Sequence, residues 1–164
     1  MKSIIKISVA TLWLLGAPIS MAETSLGFGV SNIGDDGLSI MSVAAEASGK
    51  LNDNFGWSLT GAVGGSDSQD GISLDLNHYL AAKVRAGMST EDGFLFVTAG
   101  YGSADIDASG FGVSASDSID GLIYGLGLEA FFDESNWGIG AEFNKGRGDL
   151  AGVEQFVITA RYRF

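Results

Sequence analysis

Apolar and polar residues alternate along most of this chain, and short clusters of Gly, Asn, Asp and Ser separate the alternating stretches. A period of two marks β-strands whose two faces meet different surroundings. Leu26, Phe28 and Val30 alternate with Gly27, Gly29 and Ser31, predicting a first strand before a loop at Asn32–Gly37. A second strand sets Met41, Val43, Ala45, Ala47 and Leu51 against Ser42, Glu46, Ser48 and Lys50, and Asn52-Asp53-Asn54 turns the chain. The third sets Phe55, Trp57, Leu59 and Val63 against Ser58, Thr60 and Ala62, and a polar loop runs from Ser66 to Gly71. The fourth carries Ile72, Leu74, Leu76, His78, Leu80, Ala82 and Val84 on one face, with Asp75, Asn77, Tyr79, Lys83 and Arg85 on the other. After a turn at Ser89–Gly93, the fifth strand, Phe94 to about Ser103, is apolar on both faces; Thr98, Gly100 and Gly102 are assigned inward. Asp105 to Asp120 reads as the longest loop, with ragged strand extensions. The sixth strand points Leu122, Tyr124, Leu126 and Leu128 one way and Gly125, Gly127 and Glu129 the other. Beyond a turn at Asp133–Asn136, the seventh opposes Trp137, Ile139, Ala141 and Phe143 to Gly138, Gly140, Glu142 and Asn144. Lys145 to about Val153 is the last loop.

The terminal strand decides which face is inside. Phe156, Ile158, Ala160, Tyr162 and Phe164 share one face; Val157, Thr159, Arg161 and Arg163 share the other. Two arginines have no place in a dry sandwich core. They fit a polar lumen with lipid outside. Eight strands put both chain ends on one side, with the turns at 52–54 and 133–136 periplasmic and the longest connection extracellular. The expectation is an all-β fold, an eight-stranded antiparallel up-and-down transmembrane β-barrel. The rival is a soluble periplasmic β-barrel carrier with its apolar face turned inward. The bulky aromatics that end the apolar face (Trp57, Tyr124, Trp137, Tyr162, Phe164), opposite a small or charged one, favour lipid outside.

The N-terminus agrees. Lys2 and Lys6 precede a mostly apolar run, Ile7–Ile19, and Ser20-Met21-Ala22 supplies small residues for a signal peptidase, with cleavage before Glu23. That run falls short of the about 20 residues needed to span a bilayer. Residues 1–22 are therefore read as a signal peptide and 23–164 as one barrel domain. With no Cys there is neither a lipoprotein anchor nor a disulfide framework. The mature chain would carry 7 basic and 20 acidic residues, a formal charge of −13, which excludes a general nucleic-acid binder. The only Pro, Pro18, lies in the signal, so proline bars no mature segment from a sheet.

The predicted register sends Glu46, Lys50, Asp75, Lys83, Arg85, Glu129, Glu142, Arg161 and Arg163 inward, four acids against five bases. Eight strands leave an interior only wide enough for side chains to fill, and an unpaired charge there is costly. A closed network of ion pairs follows; the alternative is a narrow ion channel with Arg and Glu as its filter. Period-two glycines (Gly27/Gly29, Gly100/Gly102, Gly125/Gly127, Gly138/Gly140) make room for the long side chains opposite, and none opens a phosphate-cradling motif. His78 is the only His, with no Ser two positions on to share its face as nucleophile. Asp105/Asp107 and Asp67/Asp70 fall short of an oxygen-ligand loop for Ca²⁺ and read as solvated charges. No catalytic, cofactor-binding or metal residue is assigned. Ten acids (Asp35, Asp36, Asp67, Asp70, Asp105, Asp107, Asp117, Asp120, Asp149, Glu154) face Lys145 and Arg147 in the extracellular loops. That sign disfavours anionic glycans and favours a cationic partner, or divalent cations shared with lipopolysaccharide phosphates.

Gly121-Leu122-Ile123-Tyr124-Gly125-Leu126-Gly127-Leu128-Glu129, Asn136-Trp137 and Ala160-Arg161-Tyr162-Arg163-Phe164 resemble the small outer-membrane barrel family typified by OmpX, Ail and the membrane domain of OmpA. Ala82–Gly87 and Thr98–Gly102 resemble the broader opacity-type barrel proteins of the porin family. The resemblance implies a monomeric eight-stranded barrel of the Gram-negative outer membrane, bounded by lipid and lipopolysaccharide. It implies no single activity, since members serve as stabilisers or adhesins; the loops here are short beside those of adhesive members. Phe164, with Tyr162 two residues before it, resembles the C-terminal signal read by the barrel-insertion machinery. The functional expectation is a non-enzymatic outer-membrane barrel with a side-chain-plugged lumen and a structural or surface-interaction role; an adhesin-like binding module is an alternative.

Overall fold

A computed structural model describes residues 23–35, 38–69 and 71–164, so the signal-peptide reading of residues 1–22 lies outside the described residues. Nine strands follow in order: β1 Glu23–Asp35, β2 Leu38–Lys50, β3 Phe55–Val63, β4 Ser66–Gln69, β5 Ile72–Ser89, β6 Gly93–Gly110, β7 Val113–Phe131, β8 Trp137–Gly148 and β9 Glu154–Arg163. Eight of them close a ring. Each pairs antiparallel with its neighbour, β1 pairs with β9, β3 pairs with β5, and the short β4 continues the line of β3 along the same edge of β5. Closure leaves no sheet edge around the ring, the only way strands satisfy their backbone in hydrocarbon.

The outward faces are those the alternation predicts. Phe28, Val43, Val84, Val97, Leu122 and Ile158 are all exposed, while Ser58, Thr60, Thr98 and Thr159 of the opposite faces are buried. Phe94 and Phe96, on the strand that is apolar on both faces, turn inward, their rings stacked with centroids 5.3 Å apart. At the end carrying Glu23 and Phe164 the connections are tight. Asn52 Oδ1 accepts from the N–H groups of Asn54 and Phe55, both at 2.9 Å, which fixes the β2–β3 turn.

The far end departs from expectation. The loop expected at Asp105–Asp120 is strand: β6 and β7 run on for 18 and 19 residues and meet in a two-residue turn at Phe111 and Gly112. Positive φ at both (51° and 81°) is what a hairpin with strand-matching twist requires. A membrane crossing needs about 9–11 residues per strand, so this hairpin stands well clear of the barrel body. The expected loop at Ser66–Gly71 likewise contains β4, and β1 and β8 extend into segments read as loops.

One correction follows from a β-bulge. Leu76 pairs with Ile106 and His78 with Asp105, which leaves Asn77 as an extra residue in β5. The bulge reverses the alternation. On the barrel side of it Leu80, Ala82 and Val84 face out as predicted. Beyond it Leu76 is buried inside and Leu74 packs against the same core, whereas Asp75 and Asn77 are exposed, the reverse of the predicted faces. Asp75 is therefore not a lumen residue. Physically, the strand changes solvent: apolar-out where lipid surrounds it, apolar-in where water does.

Candidate functional site

The interior gathers its charge towards the end that holds Glu23 and Phe164. Six of the nine residues expected there converge from five strands: Glu46 (β2), Lys83 and Arg85 (β5), Glu129 (β7), Glu142 (β8) and Arg161 (β9), none more than 7% exposed. Arg85 lies 2.5 Å from Glu46, 3.0 Å from Glu142 and 3.3 Å from Glu129. Arg161 lies 2.5 Å from Glu46 and 3.1 Å from Glu129, and Lys83 contacts Glu142 and sits 3.8 Å from Glu46. Thr60 Oγ1 donates to Glu46 Oε2 at 2.9 Å, and Arg161 Nη2 donates to Ser48 Oγ at 3.0 Å. Three acids meet three bases, so the cluster is neutral and every charge has a partner, the condition under which buried ions are tolerated. Arginine suits this site because its planar fork reaches several carboxylates at once. The Arg85 guanidinium also lies 4.2 Å from the ring centroid of Phe96, a cation–π contact.

Glycine makes the room, as the period-two pattern implies. A Cβ on Gly140 would lie 2.8 Å from Arg161 Nη1 and 2.9 Å from its Cδ, and one on Gly27 3.4 Å from its Cγ.

The other three expected residues lie elsewhere. Lys50 and Arg163 sit at the mouth beside the chain termini, 3.0 and 3.9 Å from Glu23, and Arg163 stacks over Phe131 at 4.6 Å. Asp75 is outside, beyond the bulge. Glu23 is the charged inner residue that sequence reading passed over; continuing the inner face of β1 back from Gly27 through Ser25 leads to it. Towards the far end a chain of neutral polar groups follows, Asn144 Nδ2 to Gln155 Oε1 at 3.3 Å and Gln155 Nε2 to Ser31 Oγ at 3.0 Å.

His78 lies half-exposed on the outer surface beside the bulge, 3.2 Å from Asp105. Asp67 accepts from the backbone N–H groups of Ser39 and Ser68. Side-chain hydrogen bonds from Ser116 and Asn77 hold the Asp107 carboxyl below its ordinary range. Among the described residues no three or more His, Asp or Glu side chains gather to hold a metal ion.

A closed ring of strands with an apolar outer wall and ion pairs inside is a transmembrane β-barrel. At one end its outer wall carries an aromatic group, Trp137, Tyr162 and Phe164, with successive ring centroids 5.1 and 5.2 Å apart. The chain belongs to the outer membrane protein beta-barrel domain family, which matches residues 8–164. Its place is the outer membrane, with Glu23 and Phe164 at the short-turned, periplasmic end and the long β6–β7 hairpin outside.

Solved structures agree on the fold. Ail, the attachment invasion locus protein of Yersinia pestis, is 23% identical, with a TM-score of 0.62 over 87% of this chain and 97% of that one. The N-terminal β-barrel domain of Pseudomonas aeruginosa OprF is 15% identical, with a TM-score of 0.60 over 87% and 97%. Pseudomonas aeruginosa OprG is 12% identical, with a TM-score of 0.62 over 87% and 95%. Comparison with curated proteins gives no match in sequence.

Proposed function

We propose that this protein is a non-enzymatic, structural barrel of the outer membrane whose lumen is plugged by its own side chains. The observation that carries this is the neutral cluster of Glu46, Lys83, Arg85, Glu129, Glu142 and Arg161. It crosses the lumen with buried charges that are all paired with one another. An ion entering such a layer has to break pairs whose separation leaves charges unpartnered in a low-dielectric interior. On this reading residues 1–22 are removed on export, the mature barrel is a monomer in lipid and lipopolysaccharide, and Phe164 addresses it to the insertion machinery. The protein binds no cofactor.

The experiment is electrical. Refolded protein in planar bilayers should stay silent, with no discrete conductance steps at either polarity. Steps carried by the wild-type protein would make it a narrow channel instead.

A second role at the surface is favoured by the charge of the extended hairpin. Asp105, Asp107, Asp117 and Asp120 stand on it with no Lys or Arg, and Lys145 is engaged by Glu154 at 2.6 Å. A field of that sign favours cationic partners. Ail has been solved in complex with the heparin analogue sucrose octasulfate; the acids here would repel so dense an anion.

A further inference from the structure

The extracellular half of the interior holds a second closure, of opposite chemistry to the first. Above the Asn144–Gln155–Ser31 chain the inward side chains turn apolar: Ile33, Ile40, Leu76, Ala104 and Ile123 are buried, with Leu74, Ile106, Ile119 and Val153 packed around them. Leu150 completes this layer from an unexpected place. It lies in the β8–β9 turn between Asp149 and Ala151, both exposed, yet is itself only 1% exposed. A turn residue at the open end of a barrel reaches that burial only by folding back into the mouth.

The local sequence is built for that fold. Gly148 and Gly152 take positive φ of 79° and 92°, a region that side chains disfavour. Ala151 N–H donates to Gly148 O and Val153 N–H to Leu150 O, each at 3.0 Å, so the turn closes on itself with Leu150 pointing in. Two glycines shape the socket: a Cβ on Gly146 would lie 2.6 Å from Leu150 Cβ, and one on Gly121 3.4 Å from it. Beneath Leu150, the space left between Tyr79, Ile123, Asn144 and Gln155 is about 10 Å³, room for about one water at most. At the periplasmic mouth the space left between Ser25, Ser48, Glu129 and Phe131 is also about 10 Å³, with the Glu23 and Arg163 side chains at its rim 39% and 27% exposed.

We propose that Leu150 is a stopper: carried on the β8–β9 turn, it seals the extracellular mouth of the lumen. This rests on the reading of the lumen as closed, and adds that the closure is two-layered.

The chain has no Cys, so a single introduced thiol reports access. Asn144→Cys places one below the stopper, and Ser25→Cys places one at the periplasmic mouth. Each is reacted with a charged, membrane-impermeant thiosulfonate in detergent, using only material that keeps the gel shift of a folded barrel. Asn144→Cys should react slowly, at least tenfold faster when Leu150→Gly is added, and slowly again with Leu150→Met. Ser25→Cys should react at one rate in all three backgrounds. If Leu150→Gly does not refold, Leu150→Ala is the smaller truncation to use. The stopper is overturned if Asn144→Cys reacts fast with Leu150 present, if truncation leaves its rate unchanged, or if Ser25→Cys accelerates equally, which would mean general loosening. Conductance by the wild-type protein would instead overturn the closed-lumen reading, so the two failures are separable.

Discussion

Gly140 shows how little slack the interior has. A Cβ there would fall within 3.0 Å of both the guanidinium and the stem of Arg161, and of Thr159 Oγ1. Arg161 is the movable partner, but moving it breaks its contacts to Glu46 and Glu129. Gly140→Ala should therefore lower stability by about 1–3 kcal/mol, the usual cost of overpacking, read as a lower urea midpoint in lipid vesicles. Unchanged stability would mean the cluster tolerates displacement. Such residues were legible in the sequence because a period of two assigns faces without any knowledge of contacts: Glu46, Lys83, Arg85, Glu129, Glu142 and Arg161 all fell on the inner side. The same rule misplaced Asp75, because alternation holds only while the pairing register does. Asn77 breaks it. Nothing in the run Asp75-Leu76-Asn77-His78 announces a bulge, since any of several residues there could be the extra one.

At the scale of the strand, that bulge is the joint between two environments. Residues 80–88 of β5 obey the lipid pattern, and residues 74–77 obey the pattern of a soluble sheet. Deleting Asn77 should restore a continuous alternation and force Leu76 and Leu74 outward into water. The barrel would still insert, but the extracellular hairpin should become sensitive to added protease while the heat-dependent gel shift persists. A hairpin as resistant as the parent's would show that the bulge is not what orients it. The long β6 and β7 were half legible. Their extensions are rich in Ser, Asp and Gly, which have low strand propensity, so composition argued for a loop while pairing with each other made strand. Leu150 escaped for a related reason: an apolar residue in a polar turn has no periodicity to report its direction.

The last strand ends in an aromatic group on the outer wall. Tyr162 stacks edge-on against both Trp137 and Phe164 on the outer wall, where amphipathic rings hold a barrel at the membrane interface. Deleting Phe164 should reduce outer-membrane levels while leaving export across the inner membrane intact, measured by fractionation and by processing of the precursor. Unchanged outer-membrane levels would contradict the reading of the C-terminus as an insertion signal.

At the scale of the molecule, inside and outside are exchanged relative to a water-soluble barrel over the membrane zone and restored above it. Of the basic residues in the described chain, Lys83, Arg85 and Arg161 are held in the interior cluster, and Lys50 and Arg163 at the periplasmic mouth. The outer face is left with Lys145 and Arg147 amid a surplus of acid. Fold class and compartment were legible because they follow from this sorting, which the alternation displays directly. A specific partner was not, since recognition depends on the shape of surfaces that periodicity does not encode.

The most direct test of this sorting is a paired unfolding measurement in lipid vesicles. Arg161→Leu leaves three buried carboxylates facing only Lys83 and Arg85, one charge uncompensated, and should cost about 3–5 kcal/mol. Ile158→Arg puts a charge into hydrocarbon on the same strand and should cost about 2–4 kcal/mol near the midplane. Both urea midpoints should fall, for opposite chemical reasons. If Arg161→Leu is neutral or stabilising while Ile158→Arg is harmless, the charged face is not the inside and the account fails.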